Sequence, residues 1–294
     1  MGYICRYCGG KDLVQKNYIN GYGIYLCNSC QILQTKVHNE QIKRTNIDKY
    51  NKLYIKNYLE IRKPQLIKDF KISIHEIEKL KHGGNILDVG CGTGIFLETL
   101  VNNSRYKWEI KGIDINNNSV SKASLGIRKN ILKKSINHTN FKNSYFDVIT
   151  CYDVLEHSSD INKSLIEIRR VLKNDGILLI QVPNSKSLMC FLTKNDWDWW
   201  CVPDHVFHFT KNSITRLLED KGFHIIMIRT WENPEIFIKN IQGHLKKILP
   251  RIFCLNRIIA KFIFFPLYFI WFVSNKINKT YQHGGLIYLL AQKI

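Results

Sequence analysis

The chain has 294 residues, room for two domains or for one large domain with an appendage. Apolar residues make up 45% and charged residues 23%, which excludes wholesale disorder, and nine cysteines are too sparse for a secreted disulfide scaffold. The net charge of +19 sits at the ends: residues 1–85 carry 15 basic and 7 acidic side chains, residues 86–220 carry 17 and 15, and residues 221–294 carry 11 and 2. Such ends suit an anionic partner, but joint enrichment in Lys, Asn and Ile is also what AT-rich coding produces, so charge alone does not make a nucleic-acid binder. The opening Met1–Arg6 lacks the basic and apolar regions of a signal peptide, and a reducing cytoplasm is the expected compartment.

The first element is a pair of cysteine knuckles, Cys5-x-x-Cys8 and Cys27-x-x-Cys30. Each knuckle brings two thiolates to one ion from a single turn, and two knuckles complete a tetrahedral sulfur set at zinc-ribbon spacing. A site closed by four sulfurs leaves no place for water, so its expected role is structural. Leu13-Val14 and Tyr22–Leu26 flank Asn20-Gly21 and read as a hairpin. Residues 1–35 are therefore expected to form a zinc ribbon. Residues 36–84 are expected to be a linker and a packing helix. That helix should start at Pro64, run through Leu66, Phe70, Ile74 and Ile77 on one face, and stop at His82-Gly83-Gly84.

A glycine turn opens the core. Asn85–Val89 reads as a buried strand, Gly90-Cys91-Gly92-Thr93-Gly94 as the turn, and Ile95–Val101 as a helix with Phe96, Leu97 and Leu100 inward. A strand, glycine turn and helix set bare backbone N–H groups against a ligand. The glycine spacing is wrong for a dinucleotide fingerprint, and Asp88 beside the turn would repel a pyrophosphate. A carboxylate there suits a ligand carrying an ammonium and a sulfonium. Further on, Lys111–Asp114 ends a strand in an acid, and Asp147–Cys151 is another strand, followed by Tyr152–His157. Glu167–Gly176 leads into the strand Ile177–Val182 and the Pro183-Asn184 turn; Phe223–Thr230 and Gly285–Gln292 are the last strands.

In this ordered set, from Leu87–Gly94 through Asp114 to Pro183-Asn184, the sequence resembles the class I S-adenosylmethionine-dependent methyltransferases over roughly residues 60–230 and the final strand. The resemblance implies an α/β fold, a doubly wound Rossmann-like sheet with the last strand inserted antiparallel beside the sixth. It implies cofactor contacts from Asp88, Gly90, Cys91, Gly92, Gly94 and Asp114, the last accepting ribose hydroxyl protons, and from Asp153. Where the family often places an acid near the adenine, this chain has Ser135. The core is expected to span residues 85–233, with an insertion at 234–282 and the last core strand at 283–294.

Methyl transfer to a hydroxyl or enol benefits from a general base, and histidine is the commonest choice. His157 follows the fourth strand, and His205 lies in the aromatic segment Trp197–Thr210, expected to overhang the substrate with Trp199, Trp200 and His208 as a lid. His205 ranks above His157 as base. Similar segments occur in zinc-ribbon and polysaccharide-associated members of the family, and the combination resembles sugar C-methyltransferases with an N-terminal zinc-binding module, although their long C-terminal domain is missing. The expected activity moves a methyl group to an O or C nucleophile of a small or carrier-linked substrate: a sugar, polysaccharide precursor, lipid or secondary metabolite. The alternative is a zinc-ribbon RNA-binding protein or RNA methyltransferase, disfavoured because Asp153-Val154-Leu155-Glu156 stands where a nucleic-base methyltransferase carries an Asn/Asp-Pro-Pro-Tyr-like tetrapeptide. Residues 245–273 pair an amphipathic stretch with an apolar Leu267–Val273 too short to span a bilayer. They read as a lid, a dimer face or an anchor on the anionic inner face of the membrane.

Overall fold

The computed structural model describes residues 3–38, 52–232, 237, 240, 241, 243, 244, 247 and 283–294. The chain divides into two compact units, one comprising residues 1–36, 182–214 and 228–288, the other residues 37–181, 215–227 and 289–294.

The seven-stranded sheet has the order β10-β11-β8-β7-β4-β5-β6, with β4 Gly84–Val89, β5 Trp108–Asp114, β6 Ile131–Lys133, β7 Phe146–Tyr152, β8 Leu172–Pro183, β10 Phe223–Trp231 and β11 Leu286–Lys293. Strands β4, β5, β6, β7 and β8 pair in parallel. Ile86, Leu87 and Val89 of β4 are buried, as the middle strand of a sheet covered on both faces must be. Chain order reverses at β4, which has β5 on one side and β7 on the other, and ligands bind at the carboxyl ends of strands at such a switch point.

The last strand lies between β10 and β8. Asn184, after β8, donates its N–H to Gly285 before β11, while Lys293 at the far end of β11 donates through Nζ to Leu172 at the start of β8. The two strands therefore run antiparallel, as expected. Beside the start of β11, buried Glu232 accepts the Gly285 N–H at 2.9 Å, and burial pushes its carboxyl up to about 8.

Helix α1, Lys52–Glu78, starts twelve residues ahead of its expected start and holds Pro64 in its interior. Proline there forfeits one helical hydrogen bond, yet Lys52–Lys63 is rich in the helix formers Lys, Leu and Arg, and the helix runs through. The expected inward residues Phe70, Ile74 and Ile77 are buried. Helix α2, Ile95–Asn103, buries Phe96, Leu97 and Leu100 as their spacing requires. Strand β8 also starts earlier than the expected Ile177. It follows directly on the helix Ile161–Val171, pairs Leu172 with Phe146, then shifts register so that Ile177 meets Val148. Residues 173–176 form the bulge between these pairs.

The second sheet has the order β1-β2-β3-β9, with β1 Leu13–Ile19, β2 Tyr22–Cys27, β3 Leu33–Thr35 and β9 Phe207–His208. Asn20 and Gly21, both at positive φ, form the two-residue turn between β1 and β2 that a twisted hairpin favours. The fourth strand was not anticipated. Leu33 pairs with His208 and Gln34 with Phe207, so the aromatic segment completes the ribbon's sheet. Ile19 and Ile24 of the hairpin share an apolar cluster with Met189, Trp197, Trp200 and Phe237. The expected helical stretch at 245–273 lies outside the described residues apart from Lys247. Among the described residues no helix is long and apolar enough to cross a membrane.

Candidate functional site

The glycine turn folds back onto β5. Gly90 and Cys91 both donate their N–H to the Ile113 carbonyl, at 2.8 and 3.1 Å, and the Gly94 N–H closes the turn on the Cys91 carbonyl at 2.8 Å. All three glycines lie in the left-handed region, at φ +70°, +54° and +75° for Gly90, Gly92 and Gly94. Their surroundings differ. A Cβ on Gly90 would come within 2.4 Å of Val154 Cγ2, whereas one on Gly92 would meet nothing within 4 Å. Gly92 is thus the point where the backbone faces open space. Cys91 is buried in the turn with its thiol well above the ordinary range, a small filler rather than a nucleophile.

Two carboxylates flank the turn. Asp114, at the end of β5, accepts the Gly92 N–H at 2.8 Å on Oδ2 and the Asn116 N–H at 2.7 Å on Oδ1. Burial still raises its carboxyl above the usual range, against those two hydrogen bonds. Asp88 is 3% exposed and accepts the Thr150 hydroxyl at 2.7 Å. Burial pushes it up to about 7; the Thr150 hydroxyl opposes the rise and the charge of Asp114 adds to it. Ser135 lies two residues beyond Lys133, the partner of Asp114 in the sheet, and its hydroxyl caps the short turn Ile136–His138 by accepting the Asn137 N–H at 3.3 Å. Asp153, at φ +55° after β7, is held by Gln181, which donates from Nε2 to its carboxylate at 3.3 Å and accepts its N–H at 2.9 Å. Asp88, the turn, Asp114, Ser135 and Asp153 therefore gather at the carboxyl ends of β4, β5, β6 and β7. His157 follows in the short turn Leu155–His157, half-buried, its N–H donated to Val154.

The four N-terminal cysteines also converge. Their sulfurs lie within 4.8 Å of one another, with Cys5 Sγ 3.6 Å from Cys30 Sγ and Cys8 Sγ 3.5 Å from Cys27 Sγ. Sulfurs about 2.3 Å from a tetrahedral ion stand about 3.8 Å apart, so little movement separates this arrangement from a zinc site. The two knuckles copy each other. Gly9 donates to the Cys5 carbonyl as Gln31 does to that of Cys27, and Cys5 and Cys27 donate to the carbonyls of Gly10 and Ile32. The equivalent fourth positions both have positive φ, +72° at Gly9 and +60° at Gln31.

The aromatic segment departs from its expected role. His208 is 3% exposed, its Nε2 2.8 Å from the Thr35 hydroxyl, and burial drives its ring down to about 3, so it is neutral. Trp200 is 4% exposed and donates Nε1–H to the Lys194 carbonyl at 2.8 Å. Neither is an open lid residue: β9 pairing draws His208 into the ribbon sheet, and the apolar cluster absorbs Trp200. Trp199 is half-buried against that cluster. His205 is buried, and its Nδ1 lies 2.8 Å from the Trp199 carbonyl. A carbonyl only accepts, so Nδ1 carries a proton.

Residues 58–228 match the model of the family described as methyltransferase domain. The chain belongs to this methyltransferase family. The methyltransferase is 30% identical over 234 residues to an uncharacterized protein of Methanocaldococcus jannaschii, covering 79% of this chain and 88% of the relative. It is 28% identical over 201 residues to the ubiquinone biosynthesis O-methyltransferase of Pelagibacter ubique, covering 60% of this chain and 81% of that protein. Its fold matches that of a SAM-dependent methyltransferase from Archaeoglobus fulgidus at TM-score 0.54 and 18% identity, over 82% of this chain and 99% of the other.

As an S-adenosylmethionine-dependent methyltransferase, the chain has a turn that fits its donor. Gly92 faces open space beside Asp114 and the buried Asp88, a set whose charge suits a cationic ligand. Sequence reasoning missed Thr150, Asn116 and Gln181, which orient the three acidic residues, and Thr35. A hydroxyl or amide whose partner lies 62 residues away, as with Thr150 and Asp88, leaves no periodic trace.

Proposed function

We propose that this methyltransferase transfers the methyl group to an oxygen or carbon nucleophile of a small or carrier-linked acceptor, with His205, or failing it His157, as general base. A hydroxyl acceptor is favoured by the relatives named as ubiquinone biosynthesis O-methyltransferases. S-adenosylmethionine supplies an activated methyl on a sulfonium. The chain's task is then to hold donor and nucleophile in line at about 3 Å. Asp114 would accept the ribose hydroxyls on lone pairs not used by Gly92 and Asn116, Asp88 would supply negative charge toward the cationic end, and Ser135 would take the place of the family's acid near the adenine. The observation that supports the base assignment is the Nδ1–H donated by His205 to the Trp199 carbonyl, which fixes the orientation of the ring. In assays across candidate phenols, sugars and lipid-linked hydroxyls, His205→Gln should cut kcat at least 100-fold on the accepted substrate and leave donor affinity unchanged. Retained turnover in that variant and in His157→Gln would remove a protein base from the scheme.

The four cysteines are proposed to hold one structural zinc, supported by their mutual approach. Elemental analysis should find one zinc per chain, lost in Cys27→Ser; metal-free protein purified without chelator would refute this. A carrier-lipid acceptor would bring the protein to an anionic membrane surface, a reading supported by the nine-charge basic excess of residues 221–294. Equal recovery in the supernatant with and without anionic vesicles at low salt would exclude it.

A further inference from the structure

The ribbon ends in a threonine buried against the segment that carries His205. Thr35 is fully buried, and its N–H donates to the Val206 carbonyl at 2.8 Å. Its hydroxyl donates to the His205 carbonyl at 2.7 Å. Because that single proton is committed to an oxygen that only accepts, the hydroxyl receives from His208, 2.8 Å away; His208 is therefore the Nε2–H tautomer. Ribbon residues hold Thr35 and its neighbour in turn. The Tyr3 hydroxyl donates to the Thr35 carbonyl at 2.9 Å, and the N–H of Arg6, inside the first knuckle, donates to Gln34 Oε1 at 3.0 Å. Gln34 is also fully buried.

His205 is therefore held both from within its own segment and from the ribbon. Its ring is held by the Trp199 carbonyl, six residues upstream, and its N–H by the Cys201 carbonyl, while its own carbonyl is held by the ribbon. Loss of the Thr35 hydroxyl leaves the bonds within the segment intact but removes the ribbon's hold on the His205 carbonyl, and with it one of the constraints on the ring's direction.

We propose that Thr35 is a positioning residue for His205, and that the cysteine ribbon serves to hold this threonine. The proposal deepens the reading of His205 as base but is a statement about position, testable without an acceptor. Thr35→Val keeps the shape and removes the hydroxyl; Thr35→Ser restores it. In full-length protein labelled with ¹⁵N-histidine, wild type should show His205 protonated on Nδ1 and His208 on Nε2, assigned with His205→Gln and His208→Gln. Thr35→Val should displace both sets of ring signals and speed amide exchange at Val206–His208 at least tenfold, and Thr35→Ser should resemble wild type. Donor affinity by calorimetry should stay within about twofold in both variants, which separates this proposal from the cofactor assignment. Unchanged His205 signals and exchange in Thr35→Val would overturn it. If Thr35→Val does not fold, chelation of the wild-type protein decides: stripping the ribbon metal, followed by elemental analysis, should speed exchange at Val206–His208 and not at Gly90–Gly94. Metal loss without that change would equally overturn the proposal. Should no metal be found, Thr35→Ser against Thr35→Ala provides the comparison.

Discussion

The same chemical change at two glycines of the turn should have opposite consequences. Alanine at Gly92 must adopt φ +54° but meets nothing within 4 Å, so its cost is conformational, about 1–2 kcal/mol for an L-residue in the left-handed region. Alanine at Gly90 bears that cost at φ +70° and also drives a methyl to 2.4 Å from Val154 Cγ2. Overpacking of this kind adds about 1–3 kcal/mol, for a total of roughly 2–5 kcal/mol. At about 2–4 °C per kcal/mol for a unit of this size, Gly92→Ala should melt within several degrees of wild type and Gly90→Ala well below it. Function should rank them the other way. The added methyl of Gly92→Ala enters the open space assigned to the donor, and affinity for S-adenosylmethionine should fall at least tenfold, about 1.4 kcal/mol. Thermal melts and titration calorimetry on both variants provide the test. Wild-type affinity in Gly92→Ala would show that the donor does not pack on this turn, and a larger loss of stability there than in Gly90→Ala would refute the steric argument.

Glu232→Gln keeps an acceptor for the Gly285 N–H but cannot ionise. Because burial raises the carboxyl to about 8, its ionisation costs the wild-type fold stability as pH rises from the ordinary carboxyl range through 8; the variant should be the more stable at pH 8 and above, with the gap closing below about pH 4.5 in denaturant titrations. Gln31→Gly should stabilise the four-cysteine hairpin by up to about 1 kcal/mol, since φ +60° suits glycine and the twin position already holds Gly9; a lower melting temperature for the variant would contradict this. Asp88, with its carboxyl near 7, should release a proton when a cationic donor binds, so affinity should rise with pH through 7. Calorimetry in buffers of different ionisation enthalpy should detect the proton, and Asp88→Asn should abolish the release.

Much of the parallel sheet and its turn was legible because local signals and fold agree there. Leu87, Val89 and the three glycines read as strand and turn, and Asp114 ends its strand where a carboxyl-end site needs it. The cysteine knuckles were legible for the same reason, since spacing alone brings their thiols together. What escaped was pairing at long range. Phe207-His208 is too short to announce a strand, and the contact between Thr35 and His208 spans 173 residues, so the aromatic segment read as a free lid rather than as the ribbon's fourth strand. Pro64 misled in a different way. It is a good first helical residue, but upstream helix formers outweighed the single hydrogen bond it forfeits.

The place of β11 bears on how the protein is made. Among the described residues strand β10 joins the sheet through β11 alone, and 54 residues lie between the end of one and the start of the other. As the chain leaves the ribosome, β8 and β10 must both wait as open edges, with their backbone donors and acceptors unpaired. Only when Leu286–Lys293 emerges can they be joined, and until then each edge is a template for another chain. Aggregation during synthesis is thus a hazard concentrated in that interval. A chain stalled before Leu286 should depend on chaperones, whereas one in which Lys293 has emerged has its sheet within reach.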